Sequence, residues 1–283
     1  MTYHILQKRH FLNIPSGSGI EVKDGHIYIV GDDSCFLYKL AQNWALVEKI
    51  ALFETPNPAT ERIAKPEKPD LEAMTLWEEN GENCLLLIGS GSKSPQRDTA
   101  YKVFSPPKVQ KISFTALYDK LRKSPLIPEL NIEAAIQWQS YLVLFQRGGI
   151  FQENAAVLVQ ENEPEILPFS LPLINNVQAG ISGAVYWAEK DLLLFCASAE
   201  ATANSYDDGE ICGSLIGQIP DFSAKMKKKE LFTKDCVILG EIPKQKIESI
   251  TIAKVISSTE IILLAVADND DGTSFLFEIG VTL

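Results

Sequence analysis

Histidine is scarce in this chain: His4, His10 and His26 are the only three, all within the first 26 of 283 residues. A Ser-His-Asp triad or a His-rich zinc site needs imidazoles brought in from distant segments, so neither fits. The five cysteines are widely spaced, contain no CxxC pair and mostly sit in apolar runs such as "ENCLLLIG". They read as buried free thiols of a reducing compartment. No apolar run approaches the roughly 18 residues of a membrane span, and "MTYHILQKRHFLNIP" lacks the apolar centre and cleavage site of a secretory signal. A cytoplasmic protein with no membrane partner is expected. Positive charge is also short, with 26 Lys and Arg against 37 Asp and Glu and a net charge of −11. That balance argues against a nucleic-acid partner. The one dense basic run, Lys225 to Lys229, reads as a solvated turn before a strand.

Familiar loop motifs are missing too. "GSGSKS" lacks the GxxxxGK[ST] order of a phosphate-binding loop and leads into a strand-like run. "DNDDGTSFLFE" places Gly272 one position early for a calcium-binding EF-hand and has no acidic twelfth residue, so it reads as a turn.

What the chain does contain is a repeat. "GSGIEVKDGHIYIVGDD", "LEAMTLW", "IEAAIQW", "ISGAVYW" and "IESITIA" share one pattern. Each has Ser or Glu, a small residue, an apolar strand, a polar turn and a second, more apolar strand. The first position falls at Ser18, Glu72, Glu133, Ser182 and Glu248, spaced by 54, 61, 49 and 66 residues. That period belongs to propeller blades rather than helical repeats. About four strand-like runs fill each unit, "KKELFT" being the last of the fourth, except that the fifth stops one strand short. "TYHILQKRHFLNI", ahead of the first unit, has no other partner and is expected to complete the last blade, which would remove an open sheet edge. The expected fold is an all-β propeller over residues 1–283, a single domain of five four-stranded blades. Six would also fit if the insertions concealed strands.

In a propeller the first strand of each blade lines the central channel, and the second returns beside it. Ser18, Glu72, Glu133, Ser182 and Glu248 should therefore ring one mouth. Asp32, Ser90, Arg147, Ser198 and Asp268, at the ends of the second strands, should join them. The polar loops from strand two to strand three open there as well, adding Lys93, Arg97, Asp207 and Asp208. Crowded carboxylates need compensation. Either Arg147 pairs with Glu133 while Arg97 and Lys93 reach toward Glu72, or a hard cation such as Ca2+ sits among Glu72, Glu248 and Asp268. Trp77, Trp138 and Trp187 end three of the first strands and should pack between blades.

The strand starts Ser18-Gly19-Ile20, Leu71-Glu72-Ala73, Ile132-Glu133-Ala134 and Ile247-Glu248-Ser249, with "LLLIGSGSKSPQR" and "TANSYDDGEICGSLIG", resemble the phytase-like and esterase-like propellers related to SdiA-regulated proteins, most closely a branch of unknown function. The resemblance implies a small polar ligand at the mouth and, in its active members, Ca2+-assisted hydrolysis of esters or phosphoesters. Arg97 and Arg147 would then steady developing negative charge. A monomer is expected. The alternative is a non-catalytic module that holds a protein or glycan through its rim loops.

Overall fold

Polar turns cut the apolar runs into hairpins. Asp24-Gly25 and Asn80-Gly81 hold left-handed φ values of 50° and 71°, and 55° and 79°. This is the mirror-image turn that matches the twist of a two-strand hairpin. The computed structural model describes residues 2–54, 61–149, 152–201, 209–269 and 271–283. Asp207 and Asp208 lie outside the described residues.

Among the described residues the strands form five four-stranded antiparallel sheets, each written here from the inside out, and one short two-stranded hairpin, Leu173–Ile174 with Val177–Gln178. Blade one is Gly17–Lys23, His26–Gly31, Phe36–Leu40 and Leu46–Ala51. Blade two is Leu71–Glu79, Glu82–Gly89, Thr99–Val103 and Val109–Ser113. Blade three is Ile132–Trp138, Tyr141–Gln146, Asn154–Gln160 and Glu163–Phe169. Blade four is Gly180–Trp187, Leu192–Ala201, Glu210–Pro220 and Val237–Pro243. Blade five is Lys246–Val255, Glu260–Asp268, Ser274–Thr282 and, as its outermost strand, the N-terminal Thr2–Phe11. That closing strand pairs with Ser274–Thr282, His10 opposite Phe275, as the missing fourth strand required. The inner strands contact one another in ring order, and the last meets the first. The fold is a five-bladed β-propeller.

The core follows from this geometry. Instead of one centre there are five apolar clusters, each filling the seam between two neighbouring blades. Leu37 meets Leu85 between blades one and two, and Ile88 meets Leu144 between two and three. Phe145 and Phe195 share the cluster between three and four, Leu194 and Leu263 that between four and five, and Leu276 and Ile29 that between five and one. Each large apolar side chain buried in a seam contributes about 1.5–3 kcal/mol. Cohesion therefore lies between blades, and the axis is left to polar groups. Trp138 and Trp187 belong to these seams. Trp77 packs against one half-buried. Cys35, Cys84 and Cys196 are buried, Cys212 and Cys236 half-buried, and all five are free thiols.

Two local readings need correction. Lys225 to Lys229 is no turn: helix Phe222–Lys228 carries the lysines outward while Phe222 and Met226 are buried in the seam. The outer strand of blade four is Val237–Pro243, not "KKELFT". Its Gly240 disguises it, and this glycine is required because a Cβ there would come within 2.0 Å of the Tyr3 ring on the closing strand. No helix among the described residues is long and apolar enough to cross a membrane.

Candidate functional site

All five inner strands break register at the same point. The skips fall between Gly17 and Gly19, Leu71 and Ala73, Ile132 and Ala134, Ile181 and Gly183, and Ile247 and Ser249. The residues skipped are Ser18, Glu72, Glu133, Ser182 and Glu248. A β-bulge leaves its extra residue unpaired and re-aims the side chain, which accounts for the repeat. The two serines lace adjacent blades together, Ser18 donating to Leu71 O at 2.5 Å and Ser182 to Ile247 O at 2.6 Å. The three glutamates fall into two charged clusters.

The first cluster spans blades three to five. Arg147 lies 2.6 Å from Glu133, 3.0 Å from Glu200 and 3.9 Å from Glu248. Lys246 adds contacts of 3.2 Å to Glu248 and 3.6 Å to Glu200. Asn131 donates to the other oxygen of Glu133 at 2.7 Å. Blades three and five are not neighbours, so Arg147 joins side chains across the axis. Burial pushes the Glu133 carboxyl up to about 7, against the pull of Arg147 and with a further push from Glu248. Burial opposes the charge of Arg147, yet Glu133, Glu200 and Glu248 hold it above its ordinary value. The expected Arg147–Glu133 pair is thus present, inside a larger network.

The second cluster spans blades one and two. Lys68 bridges Asp32, at very short range, and Asp70, at 2.7 Å. Arg97 is 2.6 Å from Asp70, to which Ser90 donates at 2.5 Å. Beside Asp33, Arg62 closes the outer side at 2.6 Å. Asp32 is pushed up to about 6 by burial, which outweighs the opposing attraction of Lys68. Glu72 is raised well above the usual carboxylate range by burial, then by Asp70, Asp32 and Glu133. It nevertheless keeps part of its surface open, as a channel-lining group does.

Asp32, Ser90, Arg147, Ser198 and Asp268 occupy equivalent places at the second-strand ends, as expected. The first three anchor to the opposing segment through N–H bonds to Ser16, Asp70 and Asn131. Ser198 donates to Ile247 O at 2.6 Å and is structural. Other expectations are revised. Arg97 serves Asp70 rather than Glu72. Lys93 is exposed on its loop. The trio Glu72, Glu248 and Asp268 does not converge, since Glu248 turns to Arg147 and Lys246. Among the described residues the carboxylates whose oxygens lie within 4.8 Å of one another are Asp32, Asp70 and Glu72. Ca2+ takes six to eight oxygens, but the Lys68 ammonium already occupies two of these three carboxylates. The residues present do not fit a resident metal.

The chain belongs to the family of unknown function DUF6929, which matches residues 13–281. No curated protein matches it. Among solved structures, glutaminyl cyclase of Myxococcus xanthus superposes with a TM-score of 0.52 at 12% identity, covering 100% of this chain and 97% of that one. An exo-1,5-alpha-L-arabinanase from a bovine ruminal metagenomic library gives 0.50 at 10% identity, covering 94% and 92%. At such identities these likenesses show the propeller fold alone.

Proposed function

We propose that the carboxylate-rimmed mouth binds a small polar molecule rich in hydrogen-bond donors, a polyol or an amino-polyol. One observation carries this reading. Asp32 Oδ1, Asp33 Oδ1, Glu200 Oε1 and Glu248 Oε2 are buried acceptor atoms without a hydrogen-bond partner, spread over both clusters at one mouth. Buried acceptors are costly unless something donates to them. Each cluster sets three carboxyl groups against two cations, so the mouth offers more acceptors than its own donors fill, and hydroxyl and ammonium groups are favoured over anions. Acceptors converging from several blades support a small ligand over a flat protein-docking face. Calcium-assisted ester hydrolysis, which the phytase-like resemblance would add, draws no support from Lys68.

Calorimetric titration with glucosamine, glucose and glucuronate, probes that share one ring, tests the reading. Affinity is expected to fall in that order and to weaken at least tenfold in Glu248→Gln. A best response to glucuronate, or no response to any of the three, would overturn it.

A further inference from the structure

The inner strands lead away from the carboxylate mouth, and at their far ends those of blades one, two, four and five line an open cavity of about 590 Å³. At roughly 3.3 Å per residue, this end lies on the order of 10 Å along the axis from the ring of bulges. Its walls are apolar: Val22, Leu76, Val185, Trp187, Ile252 and Val255. Leu76 and Val255 are 41% and 49% exposed, large apolar side chains standing open at the rim. Such a volume suits a small ligand.

One residue in this cavity breaks the repeat. Three positions after each bulge the blades carry Glu21, Thr75, Ile136, Val185 and Thr251. Four blades fill the place with a hydroxyl or a hydrocarbon. Blade one buries a carboxyl there, only 7% exposed. It accepts from Thr251 Oγ1 at 2.5 Å and from the Val22 N–H at 3.0 Å. A threonine would span the blades without the desolvation that a carboxyl incurs, so bracing alone does not explain Glu21. Burial pushes it up to about 7, with the Thr251, Val22 and Leu76 hydrogen bonds acting against that push. The other charged groups of the cavity are Glu189 and Lys190, with the Tyr186 phenol beside them. The phenol already bonds Asp191 at 2.9 Å.

We infer that this second mouth is a separate ligand site, in which an alkyl or aralkyl amine lays its hydrocarbon along the apolar walls and its ammonium against Glu21. An acidic protein also attracts cations to such a mouth. Trp187 in the wall gives the readout. Its fluorescence is followed while hexylamine, hexanol and hexanoate are titrated into the full chain. Hexylamine is expected to bind at least tenfold more tightly than the other two, and more tightly at pH 8 than at pH 6 as Glu21 loses its proton. Glu21→Gln, nearly isosteric, should abolish that preference, and Leu76→Trp, a change at an exposed rim position, should block all binding. Equal affinities for amine and alcohol, or an amine preference that survives Glu21→Gln in a folded variant, would overturn the assignment.

Discussion

The two charged clusters share one mouth and one ratio, three carboxylates to two cations, but they are built differently. In blades three to five every member except Asn131 and Arg147 sits within a strand, and those two directly precede and follow one. Their positions are fixed by the register of the sheets. In blades one and two, Lys68 and Asp70 come from the connection between blades, Arg97 comes from a loop, and Asp32 lies just past a strand end. Loop-borne charges can change partners at little cost to the scaffold, whereas strand-borne charges cannot. The first cluster is therefore the stability element of the mouth, and the second is the part able to rearrange around a ligand.

The largest expected effect is on the strand-borne side. Arg147→Met leaves Glu133, Glu200 and Glu248 crowded around an uncharged side chain. Removing one partner of a buried network costs about 3–5 kcal/mol. Urea unfolding at pH 8 should show that loss, and a smaller one at pH 5, where Glu133 takes up a proton. A loss below that range at pH 8 would put the two clusters on an equal footing. Lys68→Met should cost less, about 1–3 kcal/mol, because Arg97 remains 2.6 Å from Asp70. It should also create what the native chain lacks. With the ammonium gone, Asp32, Asp70 and Glu72 are free to take a divalent cation, so Ca2+ should raise the Tm of the variant and leave that of the native protein unmoved. A native protein that responds to Ca2+ as strongly as the variant would mean that Lys68 does not fill the cation position.

The same contrast decides what could be read from sequence. Fold and blade count are legible because the Ser or Glu of each bulge recurs at one place in five repeats, and the unpaired N-terminal run points to ring closure. Part of the strand-borne cluster is legible for the same reason: Glu133 and Arg147 are one hairpin apart. The sequence carries a further signal. Two residues before each bulge stand Ser16, Asp70, Asn131, Gly180 and Lys246, in the triplets SGS, DLE, NIE, GIS and KIE. Three of these, Asp70, Asn131 and Lys246, prove to be members of the clusters. Glu200 was hidden because it stands two residues beyond Ser198, where the long second strand Leu192–Ala201 runs past the point at which the other blades turn. Lys68 was hidden because its reach depends on a connection in which Asp70 adopts a left-handed φ of 55°. Periodicity reports what every blade repeats, and these features occur once.

The smallest expected effect tests whether the clusters are electrically separate. Glu133 contributes to the raised pKa of Glu72, although the two belong to different clusters. Both carboxyls hold their protons more tightly in the folded chain than in the unfolded one. Stability from them is thus fully present below the unfolded carboxylate range and is lost as pH rises, for Glu133 through about 7. Native stability should accordingly fall between pH 5 and pH 8. Glu133→Gln removes one of these groups and a neighbouring negative charge, so the fall should be shallower. The Glu72 midpoint, followed by carboxyl carbon NMR, should move down by a few tenths of a pH unit, since the charges act across a partly wet channel. A midpoint that stays fixed would make the clusters independent, each governed by its own cations. A shift of a full unit or more would make the mouth one continuous network, and a ligand that rearranged the loop-borne side would then change the charge state of the strand-borne side as well.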